Sequence, residues 1–171
     1  MSILFRKLER KVYMEPQKAD ELGGLQADAL RNFITKENAL SVYEVENKLI
    51  DIERILAAIA GMRDNVQEVD YATFDSNLLE EFEIKTKKIK GDTADDEVNN
   101  LHIDLIDLTA KQVCLLASSI QKDGNLMRIL KKKIGREITE GLKKGYLNKN
   151  KINEKLLPKL AKYAQSGCQS S

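Results

Sequence analysis

Tryptophan is absent from this chain of 171 residues, which also has one histidine, two prolines and two cysteines, and only 5% of its residues are aromatic. Cys114 lies in an apolar run and Cys168 in a polar terminal stretch. Two cysteines so far apart exclude a disulfide-rich scaffold and indicate a reducing compartment. No apolar run approaches the roughly 18 to 20 residues of a membrane-spanning helix, and no cleavable signal sequence is recognisable. We therefore expect a cytoplasmic protein without a transmembrane segment.

Sequence motifs of common enzyme classes are missing as well. The chain has no P-loop, no glycine-rich dinucleotide fingerprint after a strand and no G-x-S-x-G nucleophile turn. Four acidic residues occur close together, but they lack the alternating ligands, central glycine and terminal glutamate of an EF-hand loop. They are Asp92, Asp95, Asp96 and Glu97. We interpret them as the solvated start of a helix, which Thr93 and Asp96 would cap, and we predict neither a cofactor nor a metal ion.

Charge is abundant and unevenly distributed. Charged residues make up 32% of the chain, more than the roughly 25% of average globular proteins, and the net charge is only +1. Residues 44–108 contain 17 acidic and 7 basic side chains, whereas residues 121–171 contain 13 basic and 4 acidic ones. An acidic middle and a basic end could pair within one molecule, pair between two copies, or serve different partners.

Length and composition predict one α+β domain in which helices predominate. Hydrophobic residues make up 42% of the chain, which is enough for the core of a single globular domain over residues 1–165. We expect this domain to combine a small α/β part at about 17–90 with a helical part at about 92–165. Residues 166–171 are polar and predict a flexible tail.

A small strand-helix-strand unit is predicted in the N-terminal half. Alternating apolar residues predict strands over 39–47 and 66–74, and apolar residues at three- and four-residue steps predict a helix over 47–64 between them. The segment 77–82 predicts a short helix, and 83–91 is either a third strand or a charged connector.

Two further helices are predicted before this unit. Residues 3–12 place apolar and basic side chains on different sides of a short helix, which could pack on the core, dock on a partner or lie on anionic lipid. Residues 18–35 also show helical spacing, and the stable part of that helix should begin after Gly24 because interior glycines weaken a helix.

The C-terminal half is predicted to be wholly helical. A long helix over 93–120, with a wide apolar stripe, is followed by a basic helix over 125–144 that ends at Gly145. A last helix is predicted over 153–164, and Pro158 could restart it, because proline is tolerated only in the first turn of a helix.

The only histidine, His102, lies in the stretch LHIDLIDL, two positions before Asp104. On a helix these side chains point about 200° apart, whereas on a strand they share one side. We favour the helix; the alternative is a strand followed by a shorter helix with a capping box of Thr109 and Gln112. His102 and Asp104 are weak candidates for catalysis, because zinc normally takes three or four protein ligands.

The clearest indication of a binding surface is the clustering of basic residues in the helix predicted over 125–144. Its cations lie along one side and its flanks, where they could neutralise phosphates. They are Lys131, Lys132, Lys133, Arg136, Lys143 and Lys144. Base recognition depends on arginine, asparagine and glutamine, so a lysine-rich helix would bind nucleic acid with little sequence preference.

Three functions follow from these patterns. We expect a non-enzymatic cytosolic interaction or regulatory protein, such as a complex-forming or immunity-like subunit, whose oppositely charged segments bind a protein partner or a second copy. Sequence-tolerant nucleic-acid binding through residues 125–144 is one alternative. A small hydrolase or metal-dependent enzyme that uses His102 and nearby carboxylates is the other.

Overall fold

The computed structural model describes residues 2–8, 24–33, 35–45, 49–123 and 125–164. The chain forms two compact units that alternate along the sequence. The first, which we call the sheet unit, comprises Met1–Asn47, Asp70–Ile89 and His102–Arg128. The second, which we call the helical unit, comprises Lys48–Val69, Lys90–Leu101 and Ile129–Ser171. The single domain over residues 1–165 stays a prediction, and the tail at 166–171 lies outside the described residues.

The sheet unit is built on a six-stranded antiparallel sheet. Its strands are β1 Ile3–Leu8, β2 Leu40–Val45, β3 Val69–Asp75, β4 Lys85–Lys88, β5 His102–Ile106 and β6 Asn125–Ile129, in the order β4-β5-β2-β1-β3-β6. Strand β1 pairs antiparallel with both β2 and β3, with Phe5 opposite Tyr43 on one side and Thr73 on the other. The predicted strands over 39–47 and 66–74 are confirmed as β2 and β3. They run in the same direction, with β1 between them.

Helices occur between the strands throughout the described part of the chain. They are α1 Leu49–Gly61, α2 Asn77–Glu81, α3 Asp96–Asn100, α4 Ala110–Asp123, α5 Lys131–Lys144 and α6 Leu157–Ala164, with 3₁₀ helices at Ala27–Phe33 and Lys149–Lys151. Helix α1 confirms the helix predicted over 47–64, and α2 confirms the one predicted over 77–82. The segment predicted as a strand or connector over 83–91 contains β4.

The predicted fold class, predominantly helical with an all-helical C-terminal half, is wrong, because β5 and β6 lie in that half and strands alternate with helices along the chain. The predicted helix over 93–120 is in fact a short helix, a strand and a second helix. In β5, Ile103 and Leu105 point to the main core while His102 is buried on the opposite face. In LHIDLIDL apolar residues outnumber polar ones and the alternation is incomplete, so periodicity does not distinguish this short strand from part of a buried helix.

The N-terminal helix predicted over 3–12 is wrong for the same reason. Residues Ile3–Leu8 form the strand β1, and residues 9–12 lie outside the described residues. Leu4 is 1% exposed and Phe5 is 0% exposed, so successive side chains on opposite faces are both buried. The helix predicted over 18–35 is a 3₁₀ helix over Ala27–Phe33 in its described part.

One face of the sheet carries the core of the sheet unit. Apolar side chains of β1, β2, β3 and β5 pack there with those of α4 and of the 3₁₀ helix, and α4 contacts that 3₁₀ helix directly. The alternative capping box is confirmed: Gln112 Oε1 accepts from Thr109 N–H at 2.9 Å, and Gln112 N–H donates to Thr109 Oγ1 at 3.3 Å. This exchange fixes the first turn of α4. Cys114, which lies in an apolar run of the sequence, is exposed on α4.

The helical unit packs α1 and α6 against α5, and α3 against α1. Glycines permit the close approach: a Cβ added to Gly135 of α5 would lie 2.5 Å from Cγ of Tyr163 on α6. The predicted start of the basic helix at 125 is wrong, since Asn125–Ile129 is β6, but its end is confirmed at Gly145, which has a left-handed φ of 80°. The predicted start of the last helix at 153 is wrong, since α6 begins at Leu157, and Pro158 lies in its first turn, where proline is tolerated.

Candidate functional site

His102 and Asp104 lie on the same face of strand β5, so the helix that we favoured for this stretch is wrong. Asp104 Oδ1 lies 3.5 Å from His102 Nε2 and accepts a hydrogen bond from Ser41 Oγ at 3.0 Å. Antiparallel pairing positions these groups, because Ser41 lies opposite Asp104 and Tyr43 lies opposite His102. The strand therefore brings together the two residues that the sequence marked as catalytic candidates.

The hydrogen bonds of His102 differ from those of a catalytic triad. Its Nδ1 lies 2.8 Å from the carbonyl oxygen of Ile89, which only accepts, so Nδ1 carries a proton and donates. Its Nε2 faces Asp104. A triad places the imidazole between a carboxylate and a nucleophilic hydroxyl, whereas here the carboxylate of Asp104 lies between the imidazole and Ser41. Both ring nitrogens face groups of the protein itself, and His102 is 9% exposed.

The ring of Tyr43 completes this cluster. It contacts the His102 ring edge-on, with 5.3 Å between the ring centroids, and it contacts Phe5 at 6.0 Å. Burial raises the pKa of Tyr43 to about 12, because the phenolate would lose its hydration. The cluster thus has the features of a hydrogen-bonded, largely buried row across the sheet.

The acidic residues at the start of α3 hold an arginine. Asp95 is the N-cap of α3 and accepts from the N–H groups of Glu97 and Val98 at 2.9 and 3.3 Å, so the capping box predicted for Thr93 and Asp96 is wrong. Arg54 of α1 donates from Nε to Asp95 Oδ2 at 2.5 Å and from Nη2 to Oδ1 at 3.1 Å. The side chain of Asp95 is 1% exposed.

Two further side chains hold the same guanidinium. Nη1 of Arg54 lies 2.7 Å from Glu97 Oε2, and the guanidinium lies over the Tyr146 ring at 4.7 Å from its centroid. Hydrogen bonding to Asp95 raises the pKa of Arg54, although partial burial opposes the shift. We call Arg54, Asp95, Glu97 and Tyr146 the arginine clamp. It lines a pocket of about 520 Å³ whose principal charges already have partners within the clamp.

Metal ligation finds no support in the described ranges, where no group of three or more His, Cys, Asp or Glu side chains is placed to hold a metal ion. Within those same ranges, no helix is long and apolar enough to cross a membrane.

The cations of helix α5 do not form one continuous ridge. Lys133 pairs with Glu53 of α1, and Lys143 pairs with Glu140 at 3.2 Å on α5 itself. Arg136 is half-buried and has an interaction of its own, and Lys144 lines the pocket of the arginine clamp. Of the predicted cations, Lys133 and Lys143 are thus in ion pairs, while Lys131 and Lys132 belong to a separate group.

That group forms what we call the lysine pocket, a concavity of about 460 Å³ lined by Lys131, Lys132, Lys162 and Tyr163. All three lysines are exposed, and none has a carboxylate at ion-pair distance among the residues that the structure describes. Tyr163 is 8% exposed, and the Nζ of Lys162 lies 5.1 Å from its ring centroid. Close packing of α6 on α5 creates this pocket.

Lys131 and Lys132 were predicted as contact residues, whereas Lys162 and Tyr163 were not. The sequence shows them in the helix predicted over 153–164, but nothing in it indicates that this helix packs beside the first turn of α5. Comparisons with protein-family models, with curated proteins and with solved structures return no match for this chain.

Proposed function

We propose that the chain is a non-enzymatic interaction protein that binds an acidic segment of a protein partner at the lysine pocket. The observation that carries the proposal is the grouping of three lysines, with no carboxylate partner among the described residues, around a largely buried tyrosine. We also infer a cytoplasmic, reducing location, which is supported by the exposed free thiol of Cys114.

Two of the three lysines in the pocket lie at an unfavourable helix end, whereas Lys162 lies in the last turn of α6, where the helix dipole favours a cation. Lys131, Lys132 and Lys133 occupy the first turn of α5, whose N-cap Leu130 provides no side-chain hydrogen bond. Cations at a helix N-terminus oppose the helix dipole, at about 0.3–1 kcal/mol each for exposed groups. A carboxylate bound in the pocket would attract these lysines and offset their unfavourable interaction with the helix dipole.

The apolar part of the pocket indicates a peptide more than a phosphate backbone. The ring of Tyr163 and the methylene chains of the lysines offer an apolar wall below a charged rim, the usual arrangement where a protein surface receives a side chain. A nucleic acid would instead follow a row of cations, and on α5 that row is interrupted by the Lys133 and Lys143 ion pairs. Sequence-tolerant nucleic-acid binding stays the second prediction.

Selection from a random 16-residue peptide library tests the proposal. We expect enriched peptides to carry Asp or Glu beside an apolar residue. The variant with Lys131, Lys132 and Lys162 changed to glutamate should bind them at least about tenfold more weakly, equal to about 1.4 kcal/mol. The matched control changes three exposed lysines elsewhere, Lys88, Lys149 and Lys155, to glutamate.

Two results would contradict the proposal. One is enrichment of peptides without acidic residues; the other is equal loss of binding in the pocket variant and the control. Filter binding of labelled duplex and single-stranded DNA to the same three proteins examines the second prediction. DNA binding that only the pocket variant loses, without peptide binding, would favour nucleic acid.

A further inference from the structure

The turn after helix α2 presents three exposed glutamates on the sheet unit. Glu80, Glu81 and Glu83 surround the half-buried Phe82. In the described part of the chain, none of the three carboxylates has an ion-pair partner. We call these three residues and Phe82 the acidic turn.

The acidic turn is held in one conformation by hydrogen bonds. The N–H of Ile84 donates to the Leu79 carbonyl at 2.7 Å and the N–H of Glu83 donates to the Glu80 carbonyl at 3.1 Å, which is the pattern of a Schellman helix end. Gln112 Nε2 of α4 donates to the carbonyls of Phe82 and Glu83 at 3.1 and 3.0 Å. A turn that is already ordered loses little conformational entropy on binding.

The acidic turn also carries an unfavourable backbone and an unfavourable charge. Glu83 has a φ of 54° in the left-handed region, where helix ends usually have glycine. Glu81 is the last residue of α2 and lies at the end where the helix dipole disfavours negative charge, whereas Glu80 still belongs to the first turn of this five-residue helix. Sequence choices that conflict with local structure in this way are typical of binding positions.

We infer that the lysine pocket of one copy of the chain binds the acidic turn of a second copy, an inference that rests on the proposed function. The three lysines of the pocket and the three glutamates of the turn lack ion-pair partners among the described residues. The exposed part of Phe82, which otherwise packs on the core of the sheet unit, provides an apolar group for the wall formed by Tyr163. The net charges of the two units also favour this contact. The residues of the sheet unit have a net charge of −3, and those of the helical unit have a net charge of +4.

The two surfaces are different, so the contact between copies is heterologous and either closes in a reciprocal dimer or continues as a chain of molecules. A stable interface buries roughly 800 Å² on each partner, which is more than one pocket and one turn offer. We therefore expect weak association, with a dissociation constant on the order of 10–1000 μM.

Two charge-reversal variants of the full-length chain, one for each surface, test the inference. Their association is measured by sedimentation velocity from 10 μM to 1 mM protein. The pocket variant carries Lys131→Glu, Lys132→Glu and Lys162→Glu. The turn variant carries Glu80→Lys, Glu81→Lys and Glu83→Lys. Unchanged circular dichroism spectra and melting temperatures verify that both fold.

We expect the wild type to associate at 50 mM salt and to dissociate at 500 mM, where screening shortens the range of the charges. Each variant alone should be monomeric, because it opposes like charges, and an equimolar mixture of the two should associate again. The control variant carries lysine at three other exposed acidic positions, Asp28, Glu44 and Glu154. A mixture of this control with the pocket variant should associate no more strongly than a mixture of the wild type with the pocket variant.

A wild type that stays monomeric at 1 mM and low salt would overturn the inference, and so would a mixture of the two variants that stays monomeric. If acidic library peptides still bind the lysine pocket in that case, the proposed function stands and only the second copy is excluded as its partner. If the peptides do not bind either, both conclusions fail.

Discussion

Replacement of Asp95 by asparagine tests whether the arginine clamp stabilises the helical unit as a buried ion pair. Asparagine keeps a side-chain oxygen that can accept the two N–H groups at the start of α3, so the helix cap survives. The change removes the negative charge and places an amide group against the guanidinium of Arg54.

The expected loss follows from the burial of both partners. The Asp95 side chain is 1% exposed and that of Arg54 is 26% exposed. Removal of one member of a buried ion pair costs about 3–5 kcal/mol. Arg54 keeps Glu97 and the face of Tyr146, so we expect Asp95→Asn to lower the free energy of unfolding by about 3 kcal/mol, at the lower end of that range. Asp95→Ala should cost about 1 kcal/mol more, because it also removes the cap.

Urea unfolding followed by far-ultraviolet circular dichroism measures this loss. For a slope of about 2 kcal/mol per molar urea, the midpoint should fall by about 1.5 M. The control is Glu97→Gln, which removes the other carboxylate bound to Arg54. The Glu97 side chain is 79% exposed, and an exposed ion pair contributes at most about 1 kcal/mol.

A double-mutant cycle with Arg54→Met separates the ion pair from packing. If the charges stabilise each other, the double variant should lose about 2 kcal/mol less than the sum of the two single changes. Additive losses, with an interaction energy below about 0.5 kcal/mol, would refute the reasoning and attribute the stability to packing and capping alone.

Two further changes test local structure in the sheet unit. Glu83→Gly removes a side chain from a left-handed backbone position, so it should raise the free energy of unfolding by about 1 kcal/mol in urea titrations, and a decrease would show that the Glu83 side chain stabilises the turn. Tyr43 has a pKa near 10 when unfolded and about 12 when folded. Its contribution is therefore complete below pH 10 and is lost as the pH rises towards 12. The free energy of unfolding should thus fall by about 2–3 kcal/mol more in the wild type than in Tyr43→Phe over that range. Parallel pH profiles of the two proteins would contradict this expectation.

The elements that the sequence predicted correctly have local signals. Helix α1 shows apolar residues at helical spacing, and α5 is ended by Gly145. The capping box of Thr109 and Gln112, which begins α4, also has a local signal, but the favoured prediction was one long helix over 93–120, with this box as the alternative. Strands β2 and β3 alternate in polarity at several positions. In each case the pattern lies within one element and depends little on the rest of the fold.

Three strands were predicted as parts of helices. In β1 and β5 side chains are buried on both faces of the sheet, and in β6 Met127 and Arg128 are exposed. All three strands are only five or six residues long and mix apolar with polar residues, so their patterns match a helix as well as a strand, and tertiary pairing decides between them. Whether His102 and Asp104 lie on the same side depends on whether residues 101–108 form a helix or a strand. The sequence alone therefore did not determine whether the two side chains are in contact.

The two proposals depend on which charges remain unpaired once each unit has folded. The sequence divides into an acidic middle and a basic end, but within the helical unit much of that opposition is already neutralised. Arg54 holds Asp95 and Glu97, and Lys151 lies 3.5 Å from Asp92 and 3.7 Å from Asp96. Such pairs do not attract a partner strongly. The lysine pocket and the acidic turn differ because their charges lack ion-pair partners among the described residues, and because Lys131, Lys132 and Glu81 lie at helix ends that disfavour their sign. A group of opposite charge from another molecule, such as a partner's carboxylates or a second copy's lysines, would neutralise the charges at either site.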